Sequence, residues 1–176
     1  SRSDVDAPPS HPLKPALVRR IEWGARAPKY AYTLTSARLL AIHHTAGVTD
    51  GLVSTLEECA AQARAIQAFH QDSRGWNDIG YSYLICPTGD VLQAREDDDD
   101  ATDIWGAHDG FNDGSMSVSL LGYYHPPYNQ LPSPAMVDAL IGVLTWMSAI
   151  RAPSSAASAS TRSASSCRNT TSPSMA

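Results

Sequence analysis

Ala41-Ile42-His43-His44-Thr45-Ala46-Gly47 closes a short apolar run that begins at Leu39. Leu39 to Ile42 has the look of a buried strand whose chemistry sits at its carboxyl end. The two adjacent histidines admit two readings. In the plainer one, a histidine is buried with a hydrogen-bond partner. In the other, one ring turns into a cleft and offers a neutral imidazole nitrogen to a metal ion. The pair alone does not choose between them, and the decision comes from the residues around it.

Upstream stands Glu22-Trp23-Gly24-Ala25-Arg26. Downstream come Gln67-Ala68-Phe69-His70, then Trp76-Asn77-Asp78-Ile79-Gly80-Tyr81-Ser82-Tyr83, then Gly106-Ala107-His108-Asp109-Gly110-Phe111-Asn112. In this order, from Arg20 to about Tyr124, the run resembles the type 2 N-acetylmuramoyl-L-alanine amidases and their animal relatives, the peptidoglycan recognition proteins. That family's pattern runs W-G-A, I-H-H-T-A-G, Q-x-F-H, G-W-x-D-I-G-Y, G-A-H-x-x-x-N and S-x-x-V-x-x-x-G. Six motifs in register over a hundred residues are far more specific than any one of them.

The resemblance implies a fold and a chemistry. The fold is α/β, a central mixed β-sheet flanked by helices with a cleft over its strand ends. The chemistry is zinc-dependent hydrolysis of the amide between N-acetylmuramic acid and L-alanine. A catalytic zinc takes three protein ligands and keeps one position for water, which it makes acidic enough to attack an amide near neutral pH. By resemblance His43 is the first ligand, and Tyr81 stands beside the metal as the catalytic hydroxyl, against the plainer reading of a strand aromatic. His44 packs or hydrogen-bonds next to the ligand and is grouped with the substrate-binding residues. His108 and Asn112 line the groove and hydrogen-bond the peptide stem. Trp76 and Trp105 offer faces to sugar rings, although core packing suits Trp76 as well. Arg95 matches the family's strand-end arginine and could meet a stem carboxylate bidentately; a solvated surface arginine is the alternative.

The family closes its zinc site with a second histidine in a Gly-His-Arg segment and a cysteine or aspartate in a Cys-Pro-Gly-like segment, both after the last long helix. Neither segment occurs in these 176 residues, and Cys167 is not followed by Pro-Gly. The C-terminal part of the fold is therefore expected to be missing, with zinc binding weak and hydrolysis slight. The rival expectation is a zinc-free peptidoglycan-binding module. Read one frame over with assumed arginine and serine codons, Arg168 to Ala176 becomes compatible with the family's approach to its Gly-His-Arg segment. The tail is then a frameshifted product or a natural divergent one.

Bulk properties narrow the rest. One domain of ordinary size fits 176 residues, with residues 18–150 as the amidase-type domain. A net charge of −5 with no basic cluster argues against nucleic acid and anionic membrane surfaces. No stretch is apolar enough for a transmembrane helix. Residues 1–17 read as a flexible leader, and the Ser/Ala-rich residues 151–176 as a disordered tail. The expected partner is peptidoglycan or a muropeptide, met by a monomer in a secreted or periplasmic location inferred from that substrate. Three cysteines make no disulfide framework; Cys59 and Cys86 could pair, or remain two buried thiols.

Local chemistry gives the elements. Ser54-Thr55-Leu56-Glu57 reads as a capping box opening a helix over 55–70, with Leu56, Cys59, Ala63, Ile66 and Phe69 on its buried face. His70 then caps its end. Tyr81 to Pro87 and Val91 to Ala94 flank Thr88-Gly89-Asp90 as a hairpin. Ser117 to Gly122 is a further strand. Ser133-Pro134 opens a helix over 134–150 with Val137, Leu140, Ile141, Leu144 and Met147 on one face. Glu96 followed by Asp97 to Asp100 lacks the alternating spacing and turn glycine of a calcium loop and reads as a mobile acidic loop. His125, before Pro126-Pro127, is discounted as a substitute zinc ligand.

Overall fold

The structure is a computed structural model and describes residues 12–48, 50–95, 103–108 and 110–151. The first part of the expected leader, the acidic run from Glu96, and the tail beyond Arg151 lie outside the described residues.

Strands β1 (Leu17–Val18), β3 (Leu39–His44), β4 (Tyr83–Ile85), β5 (Val91–Gln93) and β7 (Ser115–Leu120) form one sheet in the order β1-β5-β4-β7-β3. Only the β4–β5 pair is antiparallel, so the sheet is mixed. A small second sheet pairs β2 (Leu34–Thr35) with β6 (Asp103–Ile104). The expected hairpin turns at Gly89, whose φ of 91° is open to glycine and strained for other residues. The strand expected at 117–122 begins two residues earlier and ends at Leu120, where Gly122 and Thr45 take over the hydrogen bonding.

Helices α1 (Leu56–Ala68) and α2 (Pro134–Arg151) fall within two residues of their expected limits. Side-chain alternation along β4 places them on opposite faces of the sheet. Tyr83 meets Trp146 of α2 edge-on at 5.8 Å, whereas Cys86, of opposite parity, is joined by a disulfide to Cys59 of α1. The cysteine alternatives are thereby resolved in favour of pairing. A sheet covered on both sides accounts for the complete burial of β4 and β5.

Two expectations about the helices are corrected. The capping box sits one residue later, at Thr55 and Glu58. Glu58 N–H donates to the Thr55 hydroxyl (3.2 Å), while the Glu58 carboxylate accepts from the N–H groups of Ser54 and Thr55 at 2.8 and 3.1 Å. The expected apolar faces hold in part: Cys59, Ala63 and Met147 are buried and Ile66, Leu140 and Leu144 pack on the core, while other members of each stripe do not. α1 buries Cys59, Ala60, Ala63 and Gln67 and leaves Leu56 and Phe69 exposed; α2 buries Met136, Val143, Trp146 and Met147 and leaves Ile141 58% exposed. Polar and aromatic partners decide these faces: Gln67 is drawn in by Asp78 and Arg26, and Trp146 by Tyr83.

Candidate functional site

Strand alternation separates the two histidines of β3. His43 faces the α1 side, in register with Ser119 of β7. His44 shares the other face with Leu40, which lines a small pocket with Met147 of α2. There the His44 Nδ1 accepts from Tyr124 N–H (3.1 Å), and its ring lies 4.8 Å from His125 and 5.5 Å from Tyr123. The remaining motif residues, Thr45-Ala46-Gly47, form the turn that ends the strand. The Thr45 hydroxyl donates to the buried Asp50 carboxylate (2.6 Å), and Gly47 packs so closely on Asp50 that a Cβ would overlap it. His43 is thus held at a rigid strand end.

Around it the α1 face of the sheet carries an unbroken row of five rings. Trp76 lies 4.5 Å from His70, His70 5.8 Å from Tyr81, Tyr81 6.2 Å from His43, and His43 5.2 Å from His108. Each is set by its own local structure. After α1 the chain continues as a π turn (Phe69–Ser73), which swings His70 inward until its Nδ1 accepts from Gly80 N–H (3.1 Å). His70 is therefore no helix-end cap facing water but a buried member of the row. The sequence reading missed it, although Gln67-Ala68-Phe69-His70 belonged to the same ordered run of motifs. Gly80 and Gly106 let two loops meet: Ala107 N–H donates to Gly80 O (2.8 Å), and a Cβ on Gly106 would overlap the His108 ring. His108 is pinned twice, its N–H donating to Asn112 Oδ1 (2.5 Å) and its Nδ1 lying 2.8 Å from Ser115 Oγ.

The row opens onto a pocket of about 250 Å³ lined by Trp76, Arg95, Trp105, Asn112 and the backbone of Gly75 and Gly106, among others. Arg95 is buried in its floor, so the surface-arginine alternative falls. Its Nε donates to Ile79 O (2.6 Å), its Nη1 to Trp105 O, and the guanidinium stacks over Tyr32 at 5.8 Å. Trp76 is half-buried at the pocket wall; the core tryptophans are Trp23 and Trp146. Of the site residues expected from sequence, the structure brings His43, Tyr81 and His108 into one row of rings that ends at Trp76, which with Arg95 and Asn112 lines the pocket, and leaves His44 on the other face of the sheet. His125 lies outside the row too, exposed, with its Nδ1 donating to Pro126 O.

Electrostatics favour neutral rings throughout. Burial, and after it the Arg95 and Arg74 cations, pull His70 down to about 4. Burial, then His43 and Arg95, does the same for His108. Burial also lowers His43 and raises the Tyr81 phenol, which stays protonated. In the unfolded chain His70 would titrate at about 6.5, so between roughly pH 4 and 6.5 the unfolded state binds more protons. Stability should accordingly rise with pH through that window and level off above it. Urea midpoints measured from pH 4 to 8 test this, and in His70→Gln the rise should be shallower.

The sequence profile of the N-acetylmuramoyl-L-alanine amidase family (Amidase_2) matches residues 33–173. The chain belongs to this amidase family. It is 39% identical over 131 residues to the peptidoglycan-recognition protein SC2 of Drosophila simulans, spanning 73% of this chain and 65% of that relative. Among solved structures, it superposes on Drosophila PGRP-LB with a TM-score of 0.64 at 32% identity, covering 76% of this chain and 74% of that one. The peptidoglycan recognition protein LE, solved with tracheal cytotoxin, a monomeric diaminopimelic acid-type peptidoglycan, gives 0.63 at 26% identity and 73% and 71% coverage. The mixed sheet flanked by helices is the amidase fold. Within it Trp23, Gly24 and Arg26 of the first motif dock the N-terminal segment on α1: Arg64 donates to Trp23 O (2.9 Å), and Arg26 exchanges hydrogen bonds with Gln67 at 2.8 and 3.0 Å.

Proposed function

We propose that this chain is a peptidoglycan-recognition domain on an amidase scaffold. It holds a muropeptide with the lactyl–alanine amide against the His43–Tyr81 end of the ring row and the peptide stem over the Trp76–Arg95–Asn112 pocket. The observation that carries this reading is the continuity between a row of neutral imidazole and phenol groups and a pocket floored by a buried guanidinium. The rings offer apolar faces and directed hydrogen bonds, and the buried cation favours anionic groups of a stem peptide. Because His70 Nδ1 already accepts from Gly80 N–H, its Nε2 carries the proton and donates to a ligand oxygen. The Tyr81 hydroxyl is placed to donate to the amide oxygen as charge develops on it.

The family's zinc fits this cleft in part. His43 Nε2 and His108 Nε2 are buried without a hydrogen-bond partner, an arrangement that suits a cation. Among the described residues, no group of three or more His, Cys, Asp or Glu side chains is placed to hold one. When bound, zinc supplies a Lewis acid that acidifies water for attack on the amide. With a donor set this small, recognition outweighs hydrolysis. The Cys59–Cys86 disulfide supports a secreted or otherwise oxidising location. No helix among the described residues is long and apolar enough to cross a membrane.

Calorimetry with a muramyl tripeptide tests the reading. Saturable binding is expected, weakened about tenfold or more, or ~1.4 kcal/mol, in Trp76→Ala and His70→Ala. Absence of binding by the folded wild-type chain would refute it. Release of L-alanine-terminated peptide at an enzymatic rate with zinc, abolished by chelator, would restore the full amidase reading.

A further inference from the structure

β3 is the outermost strand on its side of the sheet, and among the described residues it pairs with β7 alone. The N–H groups of Leu39 and Thr45 donate to Gly114 O (3.1 Å) and Leu120 O (3.0 Å) on the β7 side. Along a strand the hydrogen-bonding groups of successive residues alternate between its two edges, so Leu40, Ile42 and His44 turn their backbone N–H and C=O outward. Such an edge is a template for another strand, and proteins that keep one open guard it with lysine, proline or a bulge. Leu-Leu-Ala-Ile-His-His carries none of these guards, and its register against β7 is unbroken. The surface beside it is apolar as well. Ile42 is 54% exposed, and α2 approaches this edge through Met147 and Ser148, which line a pocket of about 220 Å³ with Ala37, Arg38 and Leu40. Ile141 and Val137, seven and eleven residues before Ser148, stand on the same side of α2, and both are exposed.

The chain's own remaining residues are poorly suited to cover this surface. Residues 1–11, 96–102 and 152–176 contain no Leu, Ile, Phe, Trp or Tyr, and a single valine, Val5. The molecule itself supplies the match. A two-fold axis through Ile42 sets Ile42 against the partner's Ile42, and Leu40 against the partner's His44. This is the antiparallel arrangement in which facing residues exchange both hydrogen bonds, and it uses every outward group of the three residues. The side chains agree with it. On the α2 face the carboxyl end of β3 carries a knob of rings, His44, Tyr123, His125 and Tyr128, the last two exposed. The amino end of the strand carries, on that same face, the pocket beside Leu40. Antiparallel pairing sets the knob of each copy over the pocket of the other.

We propose that the β3 edge is a homodimer interface, closed by a second copy of this chain in antiparallel register about Ile42, in place of the monomer expected from the sequence. The two five-stranded sheets become one, and both α1 faces, with their ring rows, stay on the same side of it.

Sedimentation equilibrium of the full 176-residue chain across about 1–100 μM reads the association. A reversible shift is expected from the 18.8 kDa monomer to twice that mass. Ile42→Lys sets two like charges against each other at the axis and should weaken dimerisation about 100-fold or more. If it fails to fold by circular dichroism, Ile42→Pro takes its place, because it removes only an outward N–H and proline is tolerated on an edge strand. Ile21→Lys, at an exposed position just after β1 on the opposite side of the sheet, should dimerise as the parent does. Amide hydrogen exchange reads the register: the Leu40, Ile42 and His44 amides should be protected in the dimer and exchange freely in the dilute monomer. A parent that stays monomeric at the highest concentration, a folded Ile42 variant that dimerises like the parent, or unprotected amides in the dimer overturns the proposal. Protection of those amides in a monomer at every concentration overturns it as well, and assigns the edge to the chain's own residues 152–176.

Discussion

Asp78→Ala should destabilise the domain by about 3–5 kcal/mol, the cost expected when one partner of a buried charge pair is removed. Asp78 is fully buried, and its carboxylate has four partners. One oxygen accepts from Gln67 Nε2 (2.6 Å) and from Ile79 N–H (2.7 Å); the other accepts from the Tyr32 hydroxyl (2.5 Å) and pairs with Arg20 at 2.9 Å. Alanine leaves all four donors facing a void, the Arg20 charge among them. Asparagine does little better, because its amide would turn a donor toward donors. With total stabilities of about 5–15 kcal/mol, a fifth or more of the margin goes. Urea unfolding of Asp78→Ala against the parent measures it, and a loss below 1 kcal/mol would mean that the network is not what holds the segment.

The position of Asp78 makes the loss a functional one. Arg20 and Tyr32 belong to the N-terminal segment, Gln67 to α1, and the next three residues lead into the cleft. Ile79 O holds Arg95, Gly80 N–H holds His70, and Tyr81 is the centre of the ring row. The Trp-Asn-Asp-Ile-Gly-Tyr motif is therefore mostly scaffold. One residue in it is a wall of the site, one a catalytic candidate, and the aspartate and glycine hold those two in place.

That distinction marks how far the sequence could be read. Element positions were legible because they depend on neighbours in the chain: Ser133 caps α2, Thr88-Gly89-Asp90 turns the hairpin, and the apolar run carries His43 to a strand end. The faces of the helices were legible only in part: Cys59, Ala63 and Met147 are buried as expected. Phe69 and Ile141 fit an apolar stripe by spacing, yet the buried positions went to Gln67 and Trp146, whose partners lie far along the chain. His70 was misread for a related reason, since a π turn shifts the helical phase by one residue and the sequence carries no mark of that shift. His44 shows the reverse case. Period-two alternation alone required that His43 and His44 face opposite sides of the sheet, and only one of them could reach the cleft.

The Cys59–Cys86 bridge, one of two alternatives the sequence left open, carries the second large effect. It ties α1 to the end of β4 across 27 residues of chain, with a Cα–Cα distance of 6.0 Å. Closing a loop of that length removes unfolded-state entropy equivalent to about 3–4 kcal/mol at 25 °C. Reduction, or the double change Cys59→Ala and Cys86→Ala, should lower stability by that amount and the melting temperature by about 10 °C. Calorimetric scans with and without reductant read it directly; a melting temperature unmoved by reductant, with both thiols shown to be free, would sink the expectation. The consequence extends to the cleft. α1 leads directly into the π turn that carries His70, and Cys59 is the covalent tie between that helix and the strand following Tyr81. Reduction frees the two sides of the ring row to move relative to each other. Muropeptide affinity should therefore fall under reductant at temperatures well below the reduced protein's melting point, where circular dichroism still reports a folded sheet.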